Sequence, residues 1–237
     1  MINRISLLFL ILVFFFSGIL NSQSLTGTSG LFSVPTADIL DDGKVAFGIN
    51  YMDKKYLPYS NFEYNAINYY AAIGFLPCLE VTLRISRMID FPGKQALGDR
   101  MPCARFKFLN ESENFPAFLI GAHDFVNAFG GTEAMYFNSL YLVSTKHFKI
   151  KYFFDKIGLN FGYGTDWIKA KQHQFVGCFY GASFSHKDFF NLYLEYDAKH
   201  FNCGSDILLL NHFKVLVGLI NFNSFNGGIS YNLNLRN

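Results

Sequence analysis

The sequence predicts an all-β fold, a transmembrane antiparallel up-and-down β-barrel of about 12 strands after a cleaved signal peptide. Three observations predict it. The chain opens on a charged and then apolar leader; the remainder is rich in aromatics yet has no second long apolar run; and that remainder alternates apolar with small or polar residues.

Arg4 precedes an almost unbroken apolar run, Ile5 to Ile19, which gives way to Asn21-Ser22-Gln23-Ser24. That is the layout of a secretory signal. The run is about 15 residues, short of the ~20 that a spanning helix needs, so cleavage near residues 20–24 is expected rather than a retained anchor. No cysteine ends the run, which argues against a lipid-anchored form. The expected organisation is a signal peptide at 1–23, a periplasmic or luminal N-terminal segment at 24–43, and a barrel over 44–237.

Hydrophobic residues make up 51% of the chain and aromatics 19%, with 29 Phe and 14 Tyr against one Trp. A closed barrel accommodates so much apolar surface without a helical span, because every backbone N–H and C=O pairs between strands inside lipid. The net charge of +2 and the lack of a basic stripe argue against nucleic acid as a partner. Cys78, Cys103, Cys178 and Cys203 are widely spaced and form no CxxC or Cys/His cluster, so neither zinc nor any other cofactor is implied. Export would permit a disulfide. Four unpaired small residues read equally well, and the pairing stays open.

Alternation is the dominant pattern. Val45, Phe47, Ile49 and Tyr51 interleave with Ala46, Gly48 and Asn50; Val81, Leu83 and Ile85 interleave with Thr82, Arg84 and Ser86. Phe106 and Phe108 alternate with Arg105 and Lys107, and Ile157 to Tyr163 and Ile229 to Leu235 behave alike. Side chains in a strand point to opposite faces with period two, so each segment has one apolar face and one small or polar face. Strands are expected near 44–52, 65–75, 79–89, 102–109, 116–123, 136–146, 156–164, 175–185, 189–197, 205–210, 213–221 and 225–235. Longer connections (53–64, 90–101, 124–135, 165–174, 198–204) tend to alternate with shorter ones, as in outer-membrane barrels with long external loops and short periplasmic turns. Residues 147–155 and 222–224 break the alternation.

The C-terminal Asn226, Gly228, Tyr231 and Leu233 fit the polar–x–Gly–x–x–aromatic–x–hydrophobic pattern of a last barrel strand, which resembles the signal read by the outer-membrane assembly machinery. Four further segments carry a wider resemblance: Gly30-Leu31-Phe32-Ser33-Val34-Pro35-Thr36-Ala37 with Asp42-Gly43 behind it; Pro116 to Phe125; Leu140 to Lys146 with Gly158 to Gly164; and Leu194-Glu195-Tyr196-Asp197. In this order they resemble the YjbH family of outer-membrane proteins associated with exopolysaccharide production. Longer members carry additional sequence, and this chain reads as a single minimal barrel.

Catalysis is not expected. His123, His147, His173, His186, His200 and His212 are surrounded by no G-x-S-x-G elbow, and His123-Asp124 are adjacent, so on a strand they would face opposite ways. A luminal polar network is better motivated: Arg84, Arg105, Lys107, His123, Lys146, Glu195 and Asp197 sit on or beside strands, and charge on the lipid face is costly. Such a network could fill a narrow barrel structurally or contact a sugar chain. Pro35-Thr36-Ala37-Asp38 is expected to open a short, helix-like stretch, as a clasp or a luminal plug. The family motif is Gly30, Pro35, Thr36 and Ala37. The resemblance implies a non-catalytic outer-membrane barrel that assists assembly or export of an extracellular polysaccharide, in contact with outer-membrane lipid and periplasmic export components. A passive pore or surface barrel, or an outer-membrane lipid-modifying hydrolase, is the alternative.

Overall fold

The computed structural model describes residues 22–56, 58–59, 62–89, 97–125, 138–168, 174–187 and 189–236. The expected leader, 1–23, lies outside the described residues up to residue 21.

The alternating segments form β1 (Lys44–Met52), β4 (Ala66–Phe75), β5 (Leu79–Met88), β6 (Leu97–Leu109), β7 (Ala117–His123) and β8 (Ser139–Lys149). They continue as β9 (Lys156–Thr165), β10 (Gly177–His186), β11 (Phe190–Tyr196), β12 (Phe201–Leu209), β13 (Phe213–Ile220) and β14 (Ser224–Asn234). Two further strands, β2 (Pro58–Tyr59) and β3 (Phe62–Glu63), pair as a small hairpin within the connection after β1. Every other strand pairs antiparallel with its chain neighbours, and β1 closes on β14 to give a 12-strand barrel. Closure removes the sheet edges, so no row of backbone donors is left facing lipid.

Period-two alternation becomes an outside and an inside. Phe47, Ile49, Leu83, Phe106, Phe161 and Ile229 are about half exposed on the exterior, while Asn50, Thr82, Arg105, Asn160 and Ser230 face inward and are buried. This apolar exterior is the surface that a membrane-spanning barrel presents to hydrocarbon.

The C-terminal ends of β1, β5, β7 and β9, from which the longer connections leave, lie at the same end of the barrel as the short 197–200 and 221–223. At the other end lie 76–78, 110–116, 150–155, 187–189 and 210–212, together with both ends of the strand-forming chain, where Leu235 N–H donates to Gly43 O at 2.8 Å. Four boundaries differ from expectation by three residues or more. β6 begins at Leu97 rather than 102, β8 runs from Ser139 to Lys149 rather than over 136–146, and β12 begins at Phe201 rather than 205. Asn202-Cys203-Gly204 has turn-like composition, yet these residues pair with Glu195, Leu194 and Tyr193. Gly204 is small for a packing reason: a Cβ there would lie 2.5 Å from the Phe32 ring.

Residues 22–40 take the luminal-plug placement, one of the two expected, but without the expected helix-like stretch. This stretch is a compact coil, almost wholly buried inside the barrel, held by the isolated bridges Gln23↔Ser29 and Gly30↔Pro35. No helix forms at Pro35 to Gly43; the Thr36 hydroxyl accepts the Asp38 N–H at 3.3 Å in a local turn instead. Leu25, Phe32, Val34 and Ala37 join Tyr141, Phe175, Phe179 and Tyr193 in one apolar cluster.

Candidate functional site

The coil pairs part of its backbone with itself, as in Leu25 N–H to Phe32 O at 2.9 Å, and the barrel wall must satisfy the rest. Inward side chains do this along the whole length of the segment. On β5, Glu80 accepts the Ser29 N–H at 2.9 Å, the Ser29 hydroxyl at 2.5 Å and the Leu40 N–H at 2.9 Å. On β6, Arg105 pairs with Glu80 (Nη1–Oε1 2.8 Å), donates to the Tyr141 hydroxyl at 3.1 Å, and reaches the Thr36 carbonyl. Both members of that ion pair are fully buried.

Across the lumen, Glu195 on β11 accepts the Ser33 N–H at 2.9 Å, the Val34 N–H at 3.2 Å and the Ser33 hydroxyl. The turn it binds is the centre of the family motif, closed by Leu31 N–H to Val34 O at 2.8 Å. The rest of the motif is read in the same way. Asn160 donates to Pro35 O at 3.0 Å, and Thr145 accepts the Ala37 N–H at 2.7 Å. Nearer the start of the segment, Asn50 donates to the Leu25 carbonyl at 2.9 Å, and Asp206 accepts the Ser22 and Tyr193 hydroxyls, each at 2.5 Å. Gly30 is required by space, since a Cβ would meet Val34 O at 2.6 Å.

The other candidate residues lie as follows. Arg84 and His123 are buried on the inward faces of β5 and β7, with His123 edge-on to Tyr141 and Phe175. Lys107 is half-buried two residues beyond Arg105. Asp197 lies just past β11 and organises the 197–200 connection, accepting the Lys199 and His200 N–H groups at 3.0 and 2.8 Å. Burial first, and then the charges of Asp197 and Glu195, push the hydroxyl of Tyr56, which is in the 53–65 connection, well above its ordinary range. Lys146 is a correction. On β8 the inward residues are Ser139, Tyr141, Val143, Thr145 and His147, so Lys146 has the outward parity; it bends to the 110–116 turn, pairing with Glu111 at 3.3 Å. The expected luminal cation is an exterior rim residue.

Glu80 was missed by sequence reasoning, although it is the partner that matters most to Arg105. Extending the inward set Thr82, Arg84 and Ser86 back by two residues reaches it. The four cysteines are free, with Cys103 buried and Cys178 exposed.

A second feature lies between the coil and β8 to β11. A polar cleft of about 260 Å³ is lined by wall residues including His147, Lys156, Gly158, Ser183, Ser185 and Asn191, and floored by Leu31, Thr36 and Asp38. It lies towards the end of the barrel that carries the chain termini. At its rim His147 Nδ1 bonds Glu111 at 2.7 Å, and His147 Nε2 stands 3.6 Å from Asp38. Burial alone would raise the Glu111 carboxyl, but hydrogen bonds from the His147 backbone and ring, its charge, and Lys146 outweigh this and hold it below the usual range.

The family model described as exopolysaccharide biosynthesis protein YbjH matches residues 22–236. The chain belongs to the YjbH family. The match begins at the first residue of the luminal coil, so in this YjbH member coil and barrel are one family unit. Among solved structures, three mutants of Rh. blastica porin align at 9–10% identity over 81% of this chain and 99% of each of theirs, with TM-scores of 0.26–0.27. No curated protein matches the chain.

Proposed function

We propose that this protein is a non-catalytic outer-membrane barrel that assists assembly or export of an exopolysaccharide, with residues 22–40 acting as a resident plug. Membership of a family described by exopolysaccharide biosynthesis carries the reading. The barrel contributes a polymer-side role at a membrane rather than a soluble one, because its exterior is apolar and its interior polar. The long connections then face outwards, and the end bearing the chain termini faces the periplasm, where export components would meet it. The strongest polar groups of the lumen, Glu80, Arg105 and Glu195, direct their hydrogen bonds to the plug, which gives them a structural task and favours a non-catalytic role.

Deleting the gene is expected to remove polymer from the cell surface, with restoration by the wild-type chain; unchanged surface polymer would refute the role. Planar-bilayer recording separates the passive-pore alternative. The plugged barrel is expected to conduct little, and steady large conductance by the intact chain would favour a pore.

A further inference from the structure

The polar cleft is built on a regular lattice of rungs. One rung runs His147–Gly158–Ser183–Tyr193 across β8 to β11, and the next, nearer the barrel end, runs Lys149–Lys156–Ser185–Asn191. Gly158 is the hollow in the first rung: a Cβ there would lie 2.5 Å from the Ser183 hydroxyl and 3.2 Å from His147 Nε2. Any larger residue would fill the space.

The groups lining the cleft divide by what they already bond. Asn160 serves Pro35, the Tyr193 hydroxyl and the Asn191 amide serve Asp206, and His147 serves Glu111 and Asp38. Ser183, Ser185 and Lys156 are different. Among the described residues, neither hydroxyl makes a side-chain hydrogen bond and the Lys156 ammonium has no carboxylate partner, although both serines are more than nine-tenths buried. Two hydroxyls on one strand face and one cation on the neighbouring strand therefore line a walled space together, while the Asp38 carboxylate on its floor stands 3.6 Å from His147 Nε2. Its volume, about 260 Å³, lies just under the range of drug-sized pockets, about 300–1,000 Å³, which suits a single ring rather than a chain.

We propose that this cleft binds one acidic sugar unit, with Ser183 and Ser185 bonding ring hydroxyls and Lys156 holding the carboxylate. The separation of the three groups over two rungs suits a ligand with spaced hydroxyls and one charge. The assignment rests on the exopolysaccharide reading, and it adds which sugar chemistry is recognised and at which end.

The purified barrel in detergent, titrated calorimetrically with a glucuronate disaccharide, cellobiose and inorganic phosphate, tests this. Saturable binding of the acidic sugar is expected, about tenfold tighter than cellobiose because one charge-assisted bond is at stake. Lys156→Gln should bring the two sugars level. Gly158→Val should abolish binding of both; if that variant does not fold, the Ser183→Ala/Ser185→Ala double variant, expected to lose binding, decides. Equal affinity for both sugars, displacement of the acidic sugar by equimolar phosphate, or unchanged binding after the cleft is filled would overturn the proposal. Loss of surface polymer on gene deletion together with no sugar binding refutes the cleft alone. Sugar binding together with unchanged polymer refutes the export role alone.

Discussion

Two carboxylates on opposite walls bind backbone N–H groups of the plug, and they are not equivalent. Glu80 carries a buried cation beside it: Arg105 contacts both its carboxylate and the Thr36 carbonyl, so charge balance and backbone satisfaction come from one cluster. Glu195 is bonded by neutral donors, the N–H groups of Ser33 and Val34, the Ser33 hydroxyl and the Asn202 amide at 3.3 Å, with Asp197 close by. One anchor is an ion pair that includes the plug; the other is a carboxylate solvated by the plug itself. The first should be intolerant of losing either member, because a buried pair that loses one partner leaves an uncompensated charge. The second should tolerate a neutral acceptor.

The largest effect is therefore expected at the ion pair. Glu80→Ala or Arg105→Ala should destabilise the folded barrel by about 3–5 kcal/mol, read as a lowered temperature for loss of folded mobility on gels. A small effect there would mean that the lumen is wetter than its burial indicates.

Glu195→Gln should be milder, about 1–3 kcal/mol, since one amide oxygen still accepts from Ser33 while the amide nitrogen faces the Val34 N–H. Glu195→Ala should be worse than Glu195→Gln. If Glu195→Gln is as damaging as Glu80→Ala, the contrast between the anchors fails.

Phe108→Leu should be smallest. Phe108 is half exposed on the outer face and, among the described residues, stacks against Phe118, at 6.1 Å between centroids. Hydrophobic swaps of this kind cost under about 1.5 kcal/mol. A shift from Phe108→Leu that exceeds that from Arg105→Ala would reverse the assignment of faces on β6.

Period-two alternation made the barrel legible, because one-sided burial is written directly into residue order; Phe106 and Phe108 against Arg105 and Lys107 is enough to orient β6. The plug was only half legible. Gly30 to Ala37 stood out as a motif, but its bonds go to Arg105, Thr145, Asn160 and Glu195, which lie far away in sequence, and no local spacing encodes those distances. Lys146 misled because β8 continues to Lys149, so a long cationic side chain on the outward parity snorkels to the rim. Gly204 misled for the opposite reason. Its smallness serves Phe32 of the plug, not a turn.

The central claim is that residues 22–40 sit inside the barrel with the motif turn against β11 and β12. An ideal Cβ on Gly204 would lie 2.8 Å from the Phe32 Cβ, close to the ~3.5–4.5 Å of a disulfide and within reach of a small backbone shift. Phe32→Cys with Gly204→Cys, in a background with Cys78, Cys103, Cys178 and Cys203 changed to serine, measures this directly. The account predicts near-complete crosslinking on mild oxidation of the folded barrel, seen as a reducible mobility shift of the heat-denatured chain. Two free thiols after oxidation of a folded barrel would contradict it.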